Sequence, residues 1–131
     1  MIQVLPNSST PIYEQVNNAI KDLILKNALR EDDKLPSVRE LALQLTVNPN
    51  TISKAYSILE EQGIIVTLKG KGTFISKYAM KNIKNTELSI LEEDIKSVIE
   101  KALKLNLSLD EIIDMEKKVY LKMGEDNDVR N

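Results

Sequence analysis

The side chains best suited to chemistry lie in VNPNTISK (47–54), where short amides and hydroxyls are followed by a lysine. These groups belong to Asn48, Asn50, Thr51, Ser53 and Lys54. Such side chains donate and accept hydrogen bonds, and the edges of DNA bases display matching donors and acceptors in the major groove, where asparagine suits adenine. Because no carboxylate stands among them, the stretch favours the binding of a polar or anionic surface over catalysis.

Two residue types are missing, which narrows the chemistry further. The 131 residues include no histidine and no cysteine. This removes Ser–His and Cys–His nucleophile pairs and the usual zinc and iron–sulfur ligands, so we predict no metal and no cofactor. A small acid–base enzyme built on carboxylates is the remaining catalytic alternative. It is disfavoured because the acids are spread over loops and helix faces, and we predict that the chain is not an enzyme.

The charge is unevenly divided along the chain. The net charge is −2, yet residues 1–78 hold nine basic against eight acidic side chains, and residues 79–131 carry −3. This balance permits a basic face on the first part. The absence of cysteine fits a reducing compartment. No apolar run reaches the about 20 residues of a membrane helix, and the start lacks the features of a secretory signal, so we expect a cytoplasmic protein without membrane contact.

Two helices are predicted to precede the polar stretch. Thr10 and Pro11 suit the N-cap and the first position of a helix that ends near Asn27, because proline lacks only an N–H that would have no partner there. After a charged loop, Ser37 and Glu40 have the spacing of a capping box. A short second helix therefore begins at Ser37.

The polar stretch itself is predicted to begin a third helix. Asn48 suits its N-cap because the residue before a proline avoids the α conformation, and Pro49 suits its first position. Gly63 is predicted to end the helix, and Val47 to fill the turn before it. Tyr56 is interpreted as a core residue with its hydroxyl near the surface. Two short helices joined by a tight turn make a helix-turn-helix, whose second helix enters the major groove of DNA.

A β-hairpin is predicted after the third helix. The β-prone runs IIVTL and TFISK flank the turn KGKG (69–72). Three helices and a two-stranded ribbon make a winged helix-turn-helix. At the tip of the wing, Lys69, Gly70 and Lys71 would reach phosphates or an adjacent groove, although the lysines could also be ordinary hairpin residues.

The charges around the helix-turn-helix favour an anionic partner. Arg39 lies in the first turn of the second helix, where the helix dipole disfavours a cation, so we predict that it contacts phosphate or base. The geometry of the two helices also places Ser37 and Lys54 at the predicted DNA interface. A purely solvated Arg39 is the alternative, and Asn48–Pro49 would begin a helix in any protein. The rival function is a winged helix for protein interaction, which would favour an apolar or acidic third-helix surface.

Residues 79–131 are predicted to form two amphipathic helices, because aliphatic residues recur at steps of three and four. Ser108 and Glu111 suit a second capping box, and Gly124 is predicted to end the last helix before a frayed tail. Two helices cannot bury such wide stripes alone, so they pack on the winged domain or, as we favour, on a second chain. The predicted dimerisation residues are Leu88, Leu91, Ile95, Val98, Ile99, Ala102, Leu105, Ile112, Ile113 and Val119.

The sequence resembles the GntR family of bacterial transcription regulators, and within it the YtrA-type subfamily. The resemblance lies in PIYEQV (11–16), KLPSVRELA (34–42), VNPNTISKAYSILEEQGII (47–65) and KGKGTFIS (69–76). It implies a homodimer that binds a palindromic operator in double-stranded DNA, commonly as a repressor of its own operon, often one for a transporter. The family's DNA-contacting residues fall on Arg39, Asn48, Asn50, Thr51, Ser53, Lys69 and Gly70.

The expected architecture is mainly α with a small β-wing. It comprises a winged helix-turn-helix DNA-binding domain (1–78) and a helical dimerisation hairpin (79–131). Asn27 and Asp32 stand where family members often have glycine, and both residue types tolerate left-handed backbone. Thr46 stands at another such position, where we expect slight strain. A small-molecule effector would have to bind at the dimer interface or against the winged domain, because two helices enclose little space.

Overall fold

The computed structural model describes residues 2–130 of the chain, and side chains of residues 2–127. The described part is mainly helical, with five helices and one small antiparallel sheet, as predicted. The elements are α1 (Ile12–Leu25), β1 (Lys34–Leu35), α2 (Val38–Leu45), α3 (Pro49–Glu61), β2 (Ile65–Leu68), β3 (Gly72–Ile75), α4 (Ala79–Lys104) and α5 (Leu109–Arg130). By contacts, the chain divides into two compact units, Met1–Glu87 and Leu88–Asn131. In the described part, no helix is both long and apolar enough to cross a membrane.

The core of the first unit is mainly aliphatic and draws on every element of that unit. Val16 and Ile20 of α1 and Ile52 and Leu59 of α3 have no exposed surface. Burial of such side chains contributes about 1.5–3 kcal/mol each. Ile52 and Leu59 thus lie on the inward face of α3. The exposed opposite face of the helix is left for other contacts.

The first helix begins one residue later than predicted. Pro11, with ψ 149°, is the N-cap, and no side chain caps the helix, so the assignment of Thr10 as N-cap is wrong. The physical reason is the side chain of Gln15. Its Nε2 donates to the carbonyl oxygens of Leu5 (3.0 Å) and Thr10 (2.8 Å), which folds the preceding segment across the first turn.

The sheet has a third strand that the sequence pattern did not predict. Strand β1 pairs with β3 in the register Lys34↔Phe74 and Leu35↔Thr73, and the strand order is β1-β3-β2. Leu35 is buried in the core. A strand of two residues is too short to show the alternation by which strands are recognised.

Three residues of the first unit that stand where GntR-family members often have glycine adopt a left-handed backbone conformation. Asn27 (φ 60°) and Asp32 (φ 68°) adopt the conformation that was expected of them. Thr46 also lies there, with φ 56° and ψ 50°, at the end of α2. A β-branched residue is strained in this region, in agreement with the prediction for Thr46.

Helix α4 begins at Ala79, next to the boundary predicted after residue 78, yet its first turns belong to the core of the first unit. Ala79 and Ile83 are buried in that core. Asn82 Nδ2 donates to the carbonyl oxygen of Gly63 at 2.9 Å. Gly63 has φ 73° and ends α3 as predicted. Because these contacts continue past Tyr78, the compact units divide after Glu87.

The second unit contains the predicted capping box but not the predicted helix end. Ser108 Oγ accepts from the Glu111 amide at 3.2 Å, and Glu111 Oε1 accepts from the Ser108 amide at 3.1 Å. Helix α5 continues through Gly124 to Arg130, so the prediction that Gly124 ends it is wrong. Glycine inside a helix costs only about 1 kcal/mol relative to alanine, which does not force a stop. Asn131, the last residue of the predicted tail, lies outside the described residues.

Candidate nucleic-acid interface

The two asparagines at the start of α3 differ in how many of their side-chain hydrogen-bonding atoms already have a partner. Asn48 is the N-cap, as predicted, and its Oδ1 accepts from the Asn50 amide at 2.8 Å. Its NH₂ group is therefore left to donate. Within the described part of the chain, the Asn50 side chain makes no hydrogen bond, so both of its amide atoms are available. Asn50 therefore has its whole donor–acceptor pair available to match N7 and N6 of adenine, whereas the cap already uses one of the two lone pairs of Asn48 Oδ1.

The remaining predicted side chains of α3 lie on its outer surface. Ser53 and Lys54 are exposed, and Thr51 is half-buried. The Lys54 ammonium lies 4.1 Å from the centroid of the Tyr13 ring in α1. This cation–π contact contributes about 0.5–1 kcal/mol at an exposed site and holds the lysine on the α1 side of α3. The sequence contained no signal for it, because the two residues are 41 positions apart.

Helix α2 brings two more predicted residues to the same surface. Ser37 Oγ accepts from the Glu40 amide (3.1 Å) in the predicted capping box, which leaves the hydroxyl proton of Ser37 free to be donated. Arg39 is exposed and has no ion pair among residues 2–127. An open depression of about 690 Å³ has Arg39 and Asn48 in its lining. The structure therefore places the cation of α2 beside the start of α3.

A buried tyrosine ties the start of α2 to α3. The Tyr56 hydroxyl donates to the carbonyl oxygen of Pro36 at 2.7 Å, and the side chain is only 6% exposed. Burial, reinforced by the negative charge of Glu40, raises the pKa of Tyr56 from 10.0 to about 12. The interpretation of Tyr56 as a core residue is confirmed. Its partner was not predicted, since Pro36 is 20 positions away.

Replacing Tyr56 by phenylalanine is expected to lower the free energy of unfolding by about 1–2 kcal/mol, because the carbonyl of Pro36 loses its donor. Urea unfolding at pH 7 measures the difference. Tyr78→Phe is the matched control, since the Tyr78 side chain is 56% exposed. Equal stability of the two variants would contradict the role of the hydrogen bond.

The same tyrosine makes the stability depend on alkaline pH. The folded state holds the Tyr56 proton more tightly than the unfolded chain, because its folded-state pKa is about 12 against 10.0. The stabilisation is therefore complete below about pH 10 and is lost as the pH rises from 10 towards 12. In Tyr56→Phe, the free energy of unfolding should fall less at alkaline pH, because this tyrosine no longer contributes. Urea unfolding of both proteins between pH 8 and 11 would measure the difference.

The wing presents its tip to solvent. Strands β2 and β3 pair from Ile65↔Ile75 to Leu68↔Gly72, and the Lys71 amide donates to the carbonyl oxygen of Leu68 at 2.9 Å. Lys69, Gly70 and Lys71 are all exposed. Gly70 has φ 78°, which glycine adopts without strain. The hairpin predicted around KGKG is confirmed.

Residues 12–75 match the bacterial regulatory proteins of the gntR family. Over 130 residues, which are 98% of this chain and the whole of the relative, the sequence is 44% identical to the HTH-type transcriptional repressor YtrA of Bacillus subtilis (strain 168). The chain belongs to the GntR family, in its YtrA-like subfamily. A GntR chain of this kind is a DNA-binding transcriptional regulator and not an enzyme.

Two solved structures resemble this GntR regulator in fold. A transcriptional regulator from Oenococcus oeni is 36% identical, covers 89% of this chain and 97% of its own, and superposes with a TM-score of 0.74. The DNA-binding domain of AraR, solved in complex with operator ORX1, is 35% identical over 56% of this chain and 90% of its own, with a TM-score of 0.51. The winged-helix fold of the GntR chain is thereby confirmed.

The second unit of the GntR chain has an open apolar face. The predicted dimerisation residues Leu88, Leu91, Ile95, Val98, Leu105 and Val119 are each about half exposed or more. Ala102 and Ile112 are instead buried in the single chain, and Ile99 and Ile113 are half-buried. Side chains of α4 and α5 line a groove of about 460 Å³. Met115 and Met123 also line it, and the predicted set did not include them.

Proposed function

We propose that the chain acts in the cytoplasm as a homodimeric repressor that binds a palindromic operator of its own operon. The observation that carries this proposal is the open row of aliphatic side chains on α4 and α5. DNA binding and transcriptional regulation follow from the family. The dimer, the operator symmetry and the target are the proposed part.

The support for a dimer is the amount of apolar surface left open on α4 and α5. Ile95 is 48% exposed, Val98 51% and Val119 53%, and all three line the same groove. Exposed apolar surface of this extent marks an interaction site in a soluble protein. A second copy offers an identical face, and a two-fold axis places each face against the other. Four helices would then enclose the side chains that two leave open.

The support for the docking mode is the polar edge of α3. Its first turn contains no acidic residue, and Glu60 and Glu61 stand at its far end. A helix start of this kind suits an anionic partner, because its free N–H groups and dipole favour negative charge. In the proposed complex, α3 lies in the major groove, with Asn50 at base edges. Arg39 and the wing tip hold phosphates.

The proposed target rests on resemblance rather than on geometry. The similar YtrA of Bacillus subtilis is a transcriptional repressor. The subfamily implies autoregulation of an operon, often one that encodes a transporter. A dimer reads two half-sites about one helical turn or more apart, so the operator should be a palindrome.

Fluorescence anisotropy tests the proposal. A labelled duplex from upstream of the gene's own operon is compared with a scrambled duplex at several salt concentrations. We expect two chains per duplex and a preference of about 10³ or more at physiological salt, the range of specific regulators. Equal and weak binding to both duplexes would contradict the proposed operator. One chain per duplex would contradict the dimer.

A further inference from the structure

Lys34 lies on the edge strand of the sheet with its side chain across the base of the wing. Its backbone pairs with Phe74, two residues beyond Gly72 on β3. A Cβ atom built at Gly72 would lie 2.7 Å from Lys34 Cε and 3.4 Å from Nζ. The aliphatic stem therefore passes over Gly72, and the ammonium also lies close to Gly72, the residue that follows Lys71. The side chain leans from its own position in the sheet towards the wing tip.

The glycine at position 72 makes this arrangement possible. Gly72 has φ 121°, a conformation that side chains rarely adopt. Any side chain at Gly72 would also occupy the space that the stem of Lys34 fills. The absence of a side chain at Gly72 thus leaves room for a lysine from the neighbouring strand.

The backbone that carries Lys34 is held on both sides. Leu35 is buried in the core, and the carbonyl of Pro36 accepts the Tyr56 hydroxyl at 2.7 Å. On the other side, the Ile75 amide donates to the carbonyl oxygen of Asp33 at 2.9 Å. A lysine on a fixed strand loses less backbone freedom on binding than one on a mobile loop.

Among residues 2–127, the charge of Lys34 is not used in an ion pair. In the part of the chain with described side chains, no carboxylate forms an ion pair with it. The nearest acid in sequence, Asp33, accepts the Arg30 amide through Oδ2 at 2.8 Å. Lys34 is exposed, like Lys69 and Lys71 at the wing tip. Lys34 belongs to β1, and Lys69 and Lys71 belong to the turn between β2 and β3.

We propose that Lys34 is a further DNA contact, which binds a backbone phosphate beside the groove entered by the wing. This inference rests on the docking mode proposed above. A lysine is a point charge on a flexible stem, which suits a phosphate rather than a base edge. The contact adds affinity and positions the wing, and it does not discriminate between sequences.

The test is the salt dependence of DNA binding by Lys34→Met, which keeps the stem over Gly72 and removes the charge. Each phosphate contact contributes about 0.9 to the slope of log K against log salt. Because the proposed dimer carries two copies of Lys34, we expect the variant to lose about 1.8 from that slope, on the operator duplex and on the scrambled duplex alike. Between 50 and 200 mM salt, the wild type should therefore lose about 12-fold more affinity than the variant.

Three further variants make the result specific. Lys34→Arg keeps the charge and should keep the slope. Lys71→Met should lower the slope by the same amount, and the double variant by about twice as much. Lys26→Met, at the end of α1 and outside α2, α3 and the wing, should leave the slope unchanged.

Two outcomes separate this proposal from the one on which it rests. If the wild type prefers the operator and Lys34→Met keeps the wild-type slope, the Lys34 contact is overturned and the docking mode is not. If the wild type shows no salt-dependent binding to either duplex, both are overturned. A thermal melt of each variant confirms that the proteins compared are folded.

Discussion

Replacing Ile95 by aspartate should turn the protein into a monomer. Ile95 is 48% exposed in the single chain and lines the groove between α4 and α5. If a second copy covers it, each subunit loses about 1.5–3 kcal/mol of apolar burial, and the two-fold axis doubles the loss. A total of about 3–6 kcal/mol weakens association by about 10²–10⁴-fold. Sedimentation equilibrium over a concentration series measures the shift.

Ser97→Asp is the matched control for this change. It adds the same charge to the same helix, two residues away, where the 3.6-residue period turns the side chain from the aliphatic row. We expect Ser97→Asp to remain a dimer. A dimer of unchanged strength in Ile95→Asp would exclude the α4–α5 face as the interface.

The loss of the dimer should also reduce operator affinity. When one winged domain of a dimer has bound its half-site, the second domain is held at a high effective concentration near the other half-site. A monomer lacks this gain in affinity. We expect Ile95→Asp to bind a single half-site as the wild type does, and to lose the additional affinity for the full palindrome. An unchanged affinity for the palindrome would show that the two domains do not bind it as a unit.

Replacing Asn50 by alanine should relax sequence preference at one base position of each half-site. The Asn50 side chain has both amide atoms free within the described structure, so it can make a bidentate contact with adenine. The loss of such a contact costs about 1–3 kcal/mol, or about 5–150-fold in affinity. Anisotropy on a set of duplexes, each altered at one base pair, should show that the variant no longer distinguishes the bases at that position.

Alanine variants of two other asparagines serve as controls. They distinguish the loss of a base contact from a general effect on folding or on affinity. Asn18→Ala, on the exposed surface of α1, should change nothing. Asn48→Ala should also lower the stability by about 1 kcal/mol, because the Asn48 side chain caps α3. If Asn50→Ala loses as much affinity for scrambled DNA as for the operator, Asn50 does not read a base.

Local sequence signals predicted the start of several helices correctly. Ser37–Glu40 and Ser108–Glu111 form their capping boxes, and Asn48 caps α3. These features are predictable because the partner atoms lie within three residues, so the hydrogen bonds need no contact from a distant part of the chain. The glycine-bearing turn of the wing is predictable for the same reason.

Some predictions failed because a helix or strand depends on contacts with residues beyond the short segment that was considered. Another failed because a glycine only weakly favours the end of a helix. The start of α1 is moved by Gln15, which reaches back to Leu5. Strand β1 exists only because β3 pairs with it some 40 residues later. The glycine at position 124 permits a helix end without requiring one, and α5 continues through it.

The sequence alone determined the helix-turn-helix, the wing and the polar edge of α3, because residue types and their spacing are enough to specify caps, turns and amphipathic faces. Only the tertiary structure decided which of those polar groups are free. It uses the Asn48 oxygen as a cap, leaves the Asn50 amide open, and lays Lys34 over Gly72. The physical reason is that a side chain's hydrogen bonds and contacts depend on residues brought near by folding, which their order in the chain does not reveal.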